Sequence, residues 1–312
     1  MSAVHSRHAA REPIAVRLAV PIGVLFTALA SLATVLGVAA DGPGGPIAAT
    51  EMPAPAAAMA LPTVEVVAVP AADPCGDDQV IAALAAGDDA ATVRAFGGGA
   101  EFRAAVVGGS APCVSLDDPG RVWVVVNKHR PLQPESFAPA SLSDIDLQAT
   151  SRSNELRPEA TAALEAMAAA SRDAGAGVLG INNGYRSYDV QTRTYGSHVR
   201  SKGQAGADAI SARPGFSEHQ SGLAFDLIAC SSRCGTHEDF GETPQGEWVA
   251  ENAWRHGFIV RYEQGETGTT GYLPEPWHIR YIGEELAAAY HHGGFHTLEE
   301  FFGLPPAPDY EH

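Results

Sequence analysis

The sequence predicts an α+β domain built on a small, largely antiparallel sheet with flanking helices. Two observations carry that expectation. Helix-period and strand-period segments follow one another without the regular βαβ order of a parallel sheet. The clearest helix, Arg157 to Ala174, opens with Pro158 in its first turn, is filled by Ala, Leu and Met, and stops at Gly175.

In chain order, Asp78 to Ala86 and Ala90 to Phe96 read as two short helices, the second ended by Gly97-Gly98-Gly99. Gly97 to Val107 is too glycine-rich to assign. Val122-Trp123-Val124-Val125-Val126, within Arg121 to Asn127, is a β-branched run expected to form a buried strand. Pro131 to Pro139 follows as an extended surface loop. After the Arg157 helix, Val178 to Asn182 is a short strand ending at Asn183-Gly184, and Asp189 to Lys202 is helical, opening after Ser187. Leu223 to Ile228 is a strand, and Glu247 to His256 a helix stopped by Gly257. Phe258 to Tyr262 and Trp277 to Tyr281 are strands, and Glu284 to Tyr290 is the last helix. No internal repeat is visible.

The N-terminus is of a different kind. Arg7, Arg11 and Arg17 precede an uncharged apolar run from Leu18 to Ala40. A basic flank before such a run is the pattern of an export signal, and its length is closer to a membrane span than to a cleaved signal. Val38-Ala39-Ala40 also offers a small-residue cleavage site. Residues 1–40 are therefore expected to be a signal anchor or signal peptide, and 41–62 an Ala/Pro/Gly-rich linker. Residues 63–120 form a small extension without clustered catalytic side chains, 121–304 the principal domain, and 305–312 a tail.

A net charge of −17, with only Lys128 and Lys202 as lysines, excludes a nucleic-acid binder, which needs clustered Lys and Arg. An acidic surface suits an exported protein, either anchored at the membrane or secreted to the cell wall. Outside the cytoplasm, an even number of cysteines points to disulfides. Sequence order favours Cys75–Cys113 and Cys230–Cys234 among the three pairings that four cysteines allow. A four-cysteine zinc site is the weaker reading, since no CxxC pair occurs.

The chemistry concentrates in Ser217-Glu218-His219-Gln220-Ser221-Gly222-Leu223-Ala224-Phe225-Asp226. A carboxylate between Phe225 and Leu227 is expensive to bury unless it is paired or binds a metal. Gly222 argues against a helix linking His219 to Asp226 and leaves a turn to bring them together. The remaining half lies in Glu275-Pro276-Trp277-His278-Ile279-Arg280. A catalytic zinc takes three protein ligands and one open position, which His219, Asp226 and His278 can supply, with Glu275 as general base. Pro276 keeps Glu275 out of a helix, so this is not the HExxH arrangement. Taken singly, each residue has an ordinary structural explanation.

The flanking motifs add to this. They are Val126-Asn127-Lys128 with Pro131-Leu132, Gly184-Tyr185-Arg186-Ser187-Tyr188 with Gln191, Ser211-Ala212-Arg213-Pro214-Gly215, the His219 and Asp226 segment, Gly271-Tyr272, and the Glu275 segment. Over roughly Val124 to Leu304 the chain resembles the VanY-type D-alanyl-D-alanine carboxypeptidases. These belong to a zinc peptidase group that includes D-Ala-D-Ala dipeptidases and LD-carboxypeptidases. The resemblance implies Zn²⁺ on His219, Asp226 and His278, Glu275 as the base, and Arg186 stabilising the oxyanion or holding substrate. It implies Gln191, Ser211 and Ser217 as substrate-pocket residues. The substrate implied is a peptidoglycan stem peptide ending in D-Ala, hydrolysed by a metal-activated water. L,D-carboxypeptidase or endopeptidase activity would use the same metal set. A non-catalytic wall-binding module should have lost a ligand or the base, and none is lost here. His198 and His237 are neighbours of the pocket without partner spacing. His291, His292 and His296 read as a solvated helix end, and Phe301-Phe302 as tail packing.

Overall fold

The computed structural model describes residues 73–311. The expected signal or anchor, the linker and the first part of the extension lie outside the described residues. Among those described, no helix is long and apolar enough to cross a membrane.

Three short helices come first: α1 (Asp78–Ala86), α2 (Asp89–Ala95) and α3 (Gly99–Val107). Asp77 and Asp88 cap α1 and α2, accepting from the amides of Gln79 and Ala91. α3 fills the segment left unassigned from sequence. It buries Phe102, whose ring lies 5.0 Å from that of Trp123, and both belong to the main hydrophobic core. The Cys75–Cys113 disulfide closes this segment.

The Arg121–Asn127 run corrects an expectation. It is buried as predicted, with Val122 to Val126 no more than 6% exposed, but it is not a strand. Its polar groups are satisfied by side chains as well as backbone. Val122 N donates to the Asp89 carboxylate, and Arg280 donates to the carbonyls of Val122 and Val124. β-branched residues report a fit to buried surroundings, and here a guanidinium takes the place of a neighbouring strand.

Strands β1 (Ser143–Asp144), β2 (Gln148–Ala149) and β3 (Glu155–Leu156) are minimal; β1 and β3 pair with each other. Helix α4 (Pro158–Asp173) follows, then β4 (Val178–Asn183) and α5 (Tyr188–Asp208), capped by Ser187. β5 (Ala224–Cys230), α6 (Pro244–Asn252), β6 (Phe258–Tyr262), α7 (Thr267–Thr270), β7 (Glu275–Tyr281), α8 (Glu284–His292) and α9 (Leu298–Phe301) complete the chain. The five-stranded sheet has the order β2-β4-β5-β7-β6. All neighbours are antiparallel except β2 and β4. The fold is thus α+β, with helices flanking the sheet. Leu164 and Met167 of α4 join Leu179, Phe225, Leu227 and Ile279 of the sheet in one core. The second disulfide, Cys230–Cys234, closes the end of β5.

Candidate metal centre

Alternation along β5 sends Phe225 and Leu227 into the core and Asp226 to the opposite face. Strand register sets Asp226 beside Asn183 of β4 and His278 of β7, so three polar residues form a row across three adjacent strands. His219 comes from a one-turn 3-10 segment, Glu218–Ser221, that ends at Gly222 with φ 72. A Cβ at Gly222 would both strain the backbone and crowd Pro139, Arg157 and Leu142 at 3.1–3.3 Å. The expected turn is present, and it folds His219 back over Asp226.

Three atoms converge. His219 Nε2 lies 3.4 Å from Asp226 Oδ1, and His278 Nδ1 lies 3.3 Å from the same oxygen. One ligand atom from each of the three buried residues falls within 4.8 Å of the others, a spacing that can hold a metal ion. The remaining atoms of these groups are already engaged. His219 Nδ1 is 2.8 Å from the Gly184 carbonyl, Asn183 donates to Asp226 Oδ2 at 3.2 Å, and His278 Nε2 is 3.3 Å from Glu218. Such outer partners fix ring orientation and tautomer around a metal. Asp226 Oδ1 is buried and lacks a hydrogen-bond partner. A cation at that point satisfies it, so the donor set fits a divalent metal that accepts N and O ligands.

The electrostatics are those of titratable groups packed together out of water. Burial works to raise Asp226, but His219 and His278 outweigh it and hold the carboxyl well below its usual range. Burial and the nearby Arg186 lower His219 to about 4. Burial also opposes the charge on His278, yet the carboxylates of Asp226 and Glu218 on either side of its ring raise it to about 9. Glu275 lies beside the cluster, 3.7 Å from His278 Nδ1. Burial raises its carboxyl to about 7, with His278 and Arg186 pulling it back and Asp226 adding to the rise. A carboxyl near neutrality beside a candidate metal-ligand triad is suited to proton transfer.

The triad lines a cleft of about 920 Å³. Glu275, Arg186, Ser211 and Ser217 line it too, as do the pocket neighbours His198 and His237. Arg186 Nε is buried with no hydrogen-bond partner, in the field of Asp226 and Glu275. Gln191 is the exception among the expected pocket residues. It is fully buried behind the wall, where its amide donates to the Ala212 carbonyl and Ser211 Oγ. It supports the pocket without lining it.

Comparison with known proteins gives the lineage. A family model described as VanY, D-alanyl-D-alanine carboxypeptidase, matches residues 153–284. The "Putative carboxypeptidase YodJ" of Bacillus subtilis (strain 168) is 36% identical over 192 residues, 60% of this chain and 69% of that protein. The chain belongs to the VanY carboxypeptidase family. A D-alanyl-D-alanine carboxypeptidase of Enterococcus faecium is 39% identical over 122 residues, although the chain spans only 35% of it. Among solved structures, the LdcB LD-carboxypeptidase, described in terms of peptidoglycan recognition, superposes with a TM-score of 0.55 at 37% identity. That likeness covers 59% of this chain and 87% of LdcB.

Sequence reasoning missed several residues of this VanY-family site. Asn183 holds Asp226, the Gly184 carbonyl holds His219, and the Tyr262 ring sits 4.9 Å from that of His278. Glu218, quoted only as part of a motif, contacts His278 directly. One signal was available. Arg261 and Arg280 each interrupt an apolar strand, and buried arginines need buried carboxylates.

Proposed function

We propose that this chain is a zinc-dependent D-alanyl-D-alanine carboxypeptidase that removes the terminal D-Ala of peptidoglycan stem peptides. The observation that carries it is the buried, unpartnered Asp226 Oδ1 at the focus of His219 Nε2 and His278 Nδ1, with Glu275 alongside. Zn²⁺ held by His219, Asp226 and His278 supplies a Lewis acid for the scissile carbonyl and lowers the pKa of water to about 7. Glu275 accepts the proton of the attacking water and delivers it to the leaving amine. Arg186, with hydrogen-bonding capacity to spare, faces the negative charge that develops on the carbonyl oxygen. Ser211 and Ser217 offer hydroxyls to the peptide from the cleft wall, and Gln191 keeps Ser211 in place. The substrate lies outside the cytoplasm, and Leu18 to Ala40 then acts as the anchor or export signal.

A stem pentapeptide incubated with the purified chain should release D-Ala, stop doing so with a chelator, and resume with zinc. Release that survives metal removal would overturn the metal assignment. The likeness to the LdcB LD-carboxypeptidase favours a second reading, cleavage of the L,D bond in a tetrapeptide by the same residues. Offering tetrapeptide, pentapeptide and cross-linked dimers side by side distinguishes carboxypeptidase from endopeptidase and D,D from L,D cleavage.

A further inference from the structure

Glu218 belongs to a second buried cluster that touches the site at one atom. Its side chain has no exposed surface. Oε1 accepts from Arg261 Nε at 3.0 Å and from Arg280 Nη1 at 2.8 Å, while Oε2 faces His278 Nε2 at 3.3 Å. The far side of Arg261 is clamped by both oxygens of Glu299, at 3.0 and 2.8 Å. The far side of Arg280 donates to the carbonyls of Val122 and Val124.

Two carboxylates and two guanidiniums buried together are a poor way to gain stability. Apolar residues of the same volume commonly serve as well or better. What apolar residues cannot supply is a fixed acceptor for an imidazole N–H. The two histidines of the candidate centre differ here. His219 presents Nε2 and rests its Nδ1 on a neutral carbonyl, that of Gly184. His278 presents Nδ1 and rests its Nε2 on a carboxylate. A carboxylate keeps the proton on Nε2, leaves the Nδ1 lone pair free, and makes the ring a stronger donor than a carbonyl does. Both arginines occupy Oε1, which leaves Oε2 to the histidine.

We propose that Glu218 is a positioning residue that fixes the tautomer and orientation of His278, with Arg261 and Arg280 holding its carboxylate to that task. This rests on the metal reading of His219, Asp226 and His278. The test compares Glu218→Gln with Glu299→Gln in the full chain. The second substitution cuts the same network at its far end without touching His278. Zinc affinity is read by competition with a chromophoric chelator, ligand geometry by the visible spectrum of the cobalt-substituted protein, and folding by thermal midpoint. Glu218→Gln should weaken zinc binding about 10–100-fold and alter the cobalt spectrum. Glu299→Gln should lower the midpoint yet leave affinity and spectrum as in the wild type. Equal loss of midpoint in both variants with wild-type zinc affinity would make Glu218 merely structural and overturn the proposal. Should Glu218→Gln not fold, the zinc-loaded wild type labelled with ¹⁵N-histidine decides the matter. An Nε2–H of His278 protected from exchange and shifted downfield supports the proposal, and one that exchanges like a surface imidazole overturns it. Failure of the wild-type chain to bind zinc at all would instead bring down the metal reading itself.

Discussion

Two clusters of buried charge meet at His278 and differ in one respect. In the cluster of Glu218, Arg261, Arg280 and Glu299, the guanidinium nitrogens find acceptors and the carboxylates find donors. In the cluster of His219, Asp226, Glu275 and Arg186, Asp226 Oδ1 and Arg186 Nε have no hydrogen-bond partner. Both lie in the same protein interior, and each takes residues from strand β7 and from the Glu218–Ser221 turn. The satisfied cluster is scaffold, because nothing remains in it for a ligand to bind. The unsatisfied one carries unspent capacity, directed into a cleft where a cation and a peptide can use it.

Breaking each cluster should therefore give a different loss. In the unsatisfied cluster, Glu275→Ala should lower kcat/KM by about 10²–10⁴-fold with zinc binding retained, because it removes the proposed base and none of the proposed ligands. Steady-state kinetics with a stem peptide beside a metal titration check this, and undiminished turnover would remove Glu275 from the chemistry. In the satisfied cluster, Arg261→Met should cost about 3–5 kcal/mol of stability, since it strands Glu299 with no guanidinium and Glu218 with one. Denaturant unfolding reads that loss. A change below about 1 kcal/mol would mean that the pair is not the structural element described.

The acid–base behaviour sharpens the same contrast. In the metal-free protein Glu275 titrates near 7, against an ordinary value of 4.5. Between those pH values the folded chain holds a proton that the unfolded chain has released, so this group's contribution to stability falls as pH rises. Glu275→Gln removes that dependence. The chelator-treated variant should match the wild type below pH 4.5, gain over it as pH rises, and keep a constant advantage above about 7. Thermal midpoints across that range test it, and an advantage independent of pH would show that the carboxyl is not the cause.

Much of this was legible in the residues because it depends on local chemistry. Pro158 and Gly175 mark the two ends of α4's neighbourhood, Ser187 caps α5, and Gly222 makes the turn that brings His219 to Asp226. That Asp226 needs polar company was readable because a carboxylate inside an apolar strand demands a reason, and His219 and His278 are the residues brought to it. Two things were not legible. Val122 to Val126 read as a strand because β-branching reports burial, whereas a strand also needs a partner strand, and Arg280 had taken that place. Gln191 read as a pocket residue because its position in the motif does not say which way a helical side chain faces. In α5 it faces the wall, where it holds Ala212 and Ser211.

The smallest effect should come from the tail, expected from sequence only as an appendage. Tyr310 accepts from Arg213 N at 2.8 Å and shares a hydrogen bond of 3.1 Å with the Tyr272 hydroxyl, while the Arg213 guanidinium stacks on its ring at 4.0 Å. Tyr272, Ser211 and Ala212 all line the cleft, so the tail braces one wall of the pocket from behind. Tyr310→Phe keeps the ring and removes the hydroxyl, leaving a backbone N–H and a buried phenol each short of a partner. The loss in stability should be about 1 kcal/mol. If the brace sets pocket shape and leaves the metal cluster alone, KM should rise up to about fivefold while kcat and zinc affinity hold. A fall in kcat at constant KM would instead tie Tyr310 to the chemistry, and the division between a braced wall and a reactive cluster would have to be redrawn.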